Sequence, residues 1–165
     1  MEREDELPTN VAIAIRPAAD RDRVPLAELF AAVAEERDGI ATEPPVDVEK
    51  RAASWLLDGT LVAVDGERIV GSLHVHATGH GFGDIGMTVA RDRRGQGVGS
   101  ALMAAAIDWA RERGLHKLSL SVFAHNAAGI ALYRKFGFVE EGRRVKQYRR
   151  SNGELWDAID MGLLL

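Results

Sequence analysis

The sequence predicts an α/β fold, and three observations predict it. Short runs of strand-forming residues alternate along the chain with amphipathic helical segments. The pairs Asp65-Gly66 and Asn152-Gly153 mark tight turns between such runs. A glycine-rich stretch, Arg94-Gly95-Gln96-Gly97-Val98-Gly99, joins one strand directly to a long helix. At 165 residues the chain supports one domain around a single core.

Taken in order, residues 11–16 read as a first strand ended by Pro17, with the acidic residues 1–10 as a frayed tail and 11–165 as the domain. A helix then runs to about Arg37 with Leu26, Leu29, Phe30 and Val33 on one face. Pro25 lacks an N–H and belongs in its first turn, which favours Asp22 over Asp20 as the cap. Thr42-Glu43-Pro44-Pro45 is an extended loop before a short helix carrying Ala52, Trp55 and Leu56. Residues 61–64 and 69–77 are strands, and the glycine-rich link 79–83 leads to a strand at 85–89. The helix after the glycine stretch carries Val98, Leu102, Ala105 and Trp109 at helical spacing. Residues 117–122 form a strand with strict alternation from Leu118 to Val122. Asn126 caps a further helix that stops at Gly137, with Lys135 in its last turn. A hairpin of residues 146–150 and 155–163 closes the chain.

The glycine stretch carries the chemistry. Its glycines permit a tight turn and leave backbone N–H groups uncovered by side chains. At a helix N-terminus those groups and the helix dipole form an anion site, and Arg94 adds a planar cation suited to phosphate oxygens. The loop therefore reads as a diphosphate holder. No Gly-Lys pair exists for a Walker loop, and the glycine spacing departs from the dinucleotide fingerprint G-x-G-x-x-G. What fits is R-x-x-G-x-G, read as Arg94, Gly97 and Gly99. Downstream, N-x-x-x-x-x-L-Y-x-x-x-G-F runs from Asn126 through Tyr133 to Phe138. On these two motifs the chain resembles the GCN5-related N-acetyltransferase (GNAT) superfamily. Gly129 departs from the pattern, standing where relatives usually carry a helix-favouring small residue.

The resemblance covers essentially the whole order β-α-α-β-β-β-α-β-α-β-β. It implies the GNAT fold, a mixed and mainly antiparallel sheet of about seven strands with helices on both faces. It also implies a V-shaped gap between the strands ending at Val89 and Val122. Acetyl-CoA is the implied cosubstrate, its pyrophosphate held by Arg94, Gly95, Gln96, Gly97, Val98, Gly99 and Ser100. Its pantetheine arm would pair with backbone near Met87, Thr88 and Val89, with Asn126 beside it. Tyr133 would point at the thioester sulfur, and the Val89 N–H would be the oxyanion donor. Thr42 to Pro45 and the tail from Glu141-Gly142 to Met161-Gly162 resemble members that acetylate amino acids or analogues, including phosphinothricin-type enzymes.

Acetyl transfer to an amine requires that the amine lose a proton, that the oxyanion be stabilised and that the thiolate be protonated. Tyr133 is the candidate acid, or else a helix tyrosine packed on the sheet. Asp84 is the candidate base, or a strand-end carboxylate. Glu43 either recognises the acceptor's amine or is a solvated loop acid. His74 and His76 share a strand face and either line the substrate or form a plain polar surface; nothing else is spaced for a metal site. Arg143, Arg144, Lys146, Arg149 and Arg150 form a basic run that reads as a solvated, edge-protecting strand, or else as a surface for nucleic acid or a carboxylate-bearing substrate.

Three function classes therefore stand: an N-acetyltransferase for a small primary amine, a protein N-terminal or lysine acetyltransferase, and an acyl-CoA sensor without turnover. A net charge of −4 argues against a nucleic-acid partner, and no apolar run is long enough to cross a membrane. The absence of cysteine excludes a cysteine nucleophile and fits a cytoplasmic location. A homodimer through the C-terminal hairpin is expected by analogy alone.

Overall fold

The computed structural model describes residues 12–165. The expected tail and Val11 of the first strand lie outside the described residues. The elements are β1 (Ala14–Pro17), α1 (Arg23–Glu35), α2 (Val48–Ala53), β2 (Thr60–Asp65), β3 (Arg68–Ala77), β4 (Phe82–Val89), α3 (Val98–Glu112), β5 (Lys117–Phe123), α4 (Ala127–Lys135), β6 (Val139–Arg149) and β7 (Leu155–Leu164). They build one seven-stranded sheet in the order β1-β2-β3-β4-β5-β7-β6. Every neighbouring pair is antiparallel except β4–β5, which makes the sheet mixed, as the resemblance implies.

Helices cover both faces of the sheet where β2 and β3 are apolar on both sides. Along β2, Val62 and Val64 pack with Leu26, Leu29 and Val33 of α1. Their neighbours Leu61 and Ala63 turn to the opposite face. There α3 buries Val98, Leu102, Met103, Ala106 and Ala110 against Val70, Leu73 and Leu118. Ala105 and Trp109, expected at the centre of that stripe, are partly buried at its margin.

The decisive feature is the β4–β5 pair. Only Phe82, Gly83 and Asp84 of β4 stand opposite β5, at Lys117, Leu118 and Ser119. Beyond them β4 stays with β3 as far as Val89, and β5 stays with β7 as far as Phe123. The two strands therefore part and leave a V-shaped gap within the sheet.

Several local expectations are corrected. β4 starts at Phe82 instead of residue 85, because Gly83 and Asp84 pair with strands on both sides. β6 reaches back to Val139, well before residue 146; its charged sequence reads as surface, and two bulges interrupt its pairing with β7. α2 ends at Ala53, capped at its start by Asp47, whose side chain accepts from the Lys50 N–H. Trp55 therefore follows the helix, its ring edge-on to Phe30 at 6.2 Å, and Leu56 is exposed.

Asp22 stands at the N-cap position of α1 without capping it. Its carboxylate turns back to accept from both Nη atoms of Arg16 at 2.6 and 2.9 Å and from the Ala19 N–H at 2.7 Å. The charge-assisted fork is the stronger partner for a carboxylate that is only 4 % exposed. The bonds from Arg16 hold the Asp22 carboxyl below the ordinary aspartate range. Asp22→Asn is expected to destabilise the protein by about 1–3 kcal/mol at pH 7. With a lowered native pKa, the stabilisation is complete above the unfolded value of about 3.9 and declines as pH falls through the native one. Denaturant melts of both proteins at neutral pH and in acid check this, and their difference should shrink in acid.

Candidate active site

Three voids adjoin along the gap. The first, about 430 Å³, is lined by Met87, Thr88 and Val89 of β4, the loop at Arg94, Gly95 and Gly97, and Asn126 and Tyr133. A narrower chamber of about 190 Å³ shares Met87, Asn126 and Tyr133 with it and is roofed by Gly39, Ile40 and Ala41. A third, about 550 Å³, opens on the β6 side and shares Ile85, Leu120 and Tyr148 with the chamber. A larger groove of about 810 Å³ lies between α1 and β3, away from Tyr133. Its acids, among them Glu28, Glu35, Glu67 and Asp92, oppose an anionic ligand.

The glycine loop closes the wide end of the gap. Gly95 and Gly97 take φ of 73° and 85°, in the left-handed region that L side chains rarely adopt, and nothing stands within 4 Å of a Cβ placed on either. Gly97 is the N-cap of α3, and its carbonyl accepts from Ala101. The N–H groups of the first turn before that bond have no intrahelical acceptor and lie at the positive end of a 15-residue helix. An open backbone cradle of this kind fits a diphosphate.

Arg94 is not the free cation the sequence suggests. Its two Nη atoms donate to Glu36 at 2.6 and 2.8 Å, and its Nε donates to the Val89 carbonyl at 3.1 Å. It braces the loop against the end of α1, and the loop amides are left as the open donors. Gln96 points back to the Asp92 carbonyl and is absent from the lining, whereas Val98, Gly99 and Ser100 belong to it.

The β4 backbone also addresses the gap. Ala90 donates to the Val70 carbonyl across the β3–β4 ladder. Antiparallel pairing alternates, so Thr88 and Gly86 bond to β3. Met87 and Val89 then turn their N–H and C=O groups into the gap. Val89 N–H is thus available there, while its carbonyl holds Arg94.

Tyr133 lines both the first void and the chamber. It also packs on the core, with its ring 5.9 Å from that of Phe138, as the packed-tyrosine reading expects. Burial raises the pKa of its hydroxyl, which keeps its proton at any ordinary pH. Asn126 caps α4 by accepting from the Gly129 N–H at 2.9 Å. The departure at Gly129 has a physical reason, since a Cβ there would lie 2.7 Å from Nδ2 of Asn126.

Asp84 lies at the apex of the gap, exposed, in the wall of the third void. The structure does not bring Glu43, His74 or His76 to these voids. Glu43 is spent on a clasp, accepting from the Ser151 N–H at 2.9 Å and Oγ at 2.7 Å. His74 bonds the Thr60 hydroxyl at 2.8 Å on the far side of β3, and His76 pairs across the ladder with Asp84. Burial lowers the pKa of His74. Sequence reasoning passed over Gly39, Ile40 and Ala41, which carry no reactive group, and over Asp160, which periodicity marks only as a strand residue.

A model of the acetyltransferase (GNAT) family matches residues 26–138. The chain belongs to the GNAT acetyltransferase family. It is similar to a ribosomal-protein-alanine N-acetyltransferase from Brucella melitensis, at 31 % identity over 92 % of this chain and 99 % of that one, with a TM-score of 0.84. It is 31 % identical to mycothiol acetyltransferase of Clavibacter sepedonicus over 90 % of this chain and 49 % of the relative. It is 39 % identical to the L-amino acid N-acetyltransferase AaaT of Escherichia coli K12 over 47 % of this chain and 48 % of the relative. The chain thus spans about half the length of these curated relatives. Among the described residues no cluster of His, Cys, Asp or Glu is arranged to hold a metal ion, and no helix is long and apolar enough to cross a membrane.

Gly129→Ala tests the cap geometry of this GNAT protein. On an unconstrained helix the change is worth about 1 kcal/mol of stability. Here the added Cβ displaces the capping side chain, so thermal melts are expected to show no gain, and Asn126→Ala a loss of about 1 kcal/mol.

Proposed function

We propose that the protein is an acetyl-CoA-dependent N-acetyltransferase acting on the primary amine of a small molecule, an amino acid or an analogue. One observation carries this reading: the diphosphate cradle, the inward-facing Val89 N–H and the Tyr133 hydroxyl line a single void in the gap of a GNAT sheet. Bound acetyl-CoA would supply an acetyl group activated as a thioester.

The chain's own residues supply the rest. Amides of the loop from Gly95 to Ser100 hold the diphosphate and set the depth of the arm. Val89 N–H stands where negative charge develops on the acyl oxygen. Tyr133 keeps a proton to hand to the leaving sulfur. Asp84, short and exposed at the apex, takes the amine proton through water.

The roof favours a small acceptor. Arg150 donates to the Ala41 carbonyl at 2.9 Å, Glu43 clasps Ser151, and His125 lies 2.9 Å from Asp38. These contacts tie the segment after α1 across the gap and narrow the chamber beneath it to about 190 Å³. The Brucella melitensis neighbour supports a second reading, a protein's N-terminal amine, because the chain spans 99 % of that relative.

Thiol release from acetyl-CoA against free amino acids, polyamines and alanine-started peptides separates the two readings, and the protein holds no cysteine to give background. Turnover with amino acids and none with peptides is the expected result. Tyr133→Phe is expected to keep coenzyme A affinity and lose about 10²–10⁴-fold in kcat. Because burial raises the Tyr133 pKa, loss of the acid form should depress the wild-type rate only above about pH 10. Full turnover by the variant overturns the assignment of Tyr133 as the acid.

A further inference from the structure

The basic run on β6 divides between two faces of the strand. Arg143 bonds Asp157 through Nε at 2.9 Å, and the Lys146 N–H donates to the same carboxylate. Arg144 turns the other way, into the wall of the third void, where its Nε donates to Asp160 Oδ2 at 2.6 Å. That single bond fixes the plane of the guanidinium. Its two Nη atoms, which have no acceptor among the described residues, form a free edge at the mouth of the gap.

The remaining charges of this mouth cancel in pairs. Glu141 is held by Lys117 at 2.7 Å, and Asp160 offsets Arg144. Asp84 alone has no partner among the described residues. The mouth therefore carries a surplus negative charge at β4, suited to an ammonium group, and a directed, charge-offset donor fork at β6. A polyanion finds no net positive field here. A zwitterion finds both of its ends matched.

We propose that Arg144, oriented by Asp160, receives the carboxylate of the acceptor and restricts the enzyme to amines that carry one, amino acids among them. This rests on the acetyltransferase reading above and adds to it a specificity residue and a positioning residue. A planar fork holding a carboxylate gives charge-assisted hydrogen bonds that an amide cannot replace.

The test compares an α-amino acid with its amide, using the full chain and thiol release, in wild type, Arg144→Gln, Arg144→Lys and Asp160→Asn. Wild type is expected to favour the free acid in kcat/KM by roughly 10- to 100-fold, the scale of one charge-assisted hydrogen bond. Arg144→Gln should bring that ratio near one, mainly through KM for the acid. Arg144→Lys, which keeps the charge without the fork, should restore part of it. Asp160→Asn should raise KM for the acid with little change in kcat, a split that a purely structural role would not give. A wild type indifferent to the carboxylate, or an Arg144→Gln variant that keeps the preference, overturns the proposal and leaves the acetyltransferase reading standing. Coenzyme A binding without thiol release for any acceptor overturns that reading, and this one falls with it.

Discussion

The parting of β4 from β5 after three paired residues is the constraint on which the rest of the molecule depends. A sheet that opens in its middle exposes two interior strand edges, and interior backbone groups are costly to leave unpaired. On β4 the alternation of the ladder assigns the unpaired groups to Met87 and Val89. A ligand with amide groups in an extended arm can complete that edge as a strand would. The same parting directs the chain at the end of each strand. β4 runs into the glycine loop and α3, β5 runs into Asn126 and α4, and both helix N-termini open on the first void. Gly83, within the paired stretch, packs closely, since a Cβ there would lie 2.7 Å from Val75 and 3.1 Å from Leu115. The strands are paired as far as Asp84 and part beyond it.

The roof is held by contacts of unequal weight. The pair Asp38–His125 is exposed and Arg37–Glu43 partly so, and surface contacts of that kind contribute about 0–1 kcal/mol each. Arg150 is different: it is 4 % exposed, stacks 4.3 Å over Trp156 and gives its Nη atoms to the Ile40 and Ala41 carbonyls. Its Nε is buried without a partner. A buried guanidinium with one orphaned donor is costly unless its remaining bonds hold. That ties the position of the roof to the aromatic wall of Phe123, Tyr148 and Trp156 beneath it. Glu36 extends the same bracing to the other end of the gap through Arg94. The segment after α1 thus touches both ends of the site, and a change at one end has a physical route to the other.

Much of this was legible in the sequence, and the failures share a cause. Elements with a strong period or a backbone requirement were read in the right place: the alternating β5, the glycine loop, and the Asn126 cap that the structure bears out. The seven-stranded order and the gap came from the family resemblance, because no local signal says where two strands stop pairing. Side chains with more than one possible partner are the ones whose contacts the sequence leaves open. Asp22 carries a cap residue's identity but serves Arg16; Arg94 carries a phosphate binder's identity but serves Glu36. Glu43 lies 108 positions before the Ser151 it clasps. Sequence spacing states what a group can bind, and the fold decides which partner is nearest.

The division of proton work across the gap follows from the same geometry. Tyr133 belongs to the first void and the chamber, while Asp84 belongs to the third void on the β6 side. Direct transfer releases a proton from the amine and needs another at the departing sulfur. In the proposed reaction the acid, Tyr133, is half-buried and the base, Asp84, is exposed at the apex. Burial keeps the Tyr133 hydroxyl protonated. Exchanging their environments would defeat both, since a buried aspartate holds its proton and an exposed tyrosine gives it up more readily. In the proposed reaction the gap therefore does more than admit two ligands from two sides: it sets the acid and the base in different environments, one half-buried and one open to solvent.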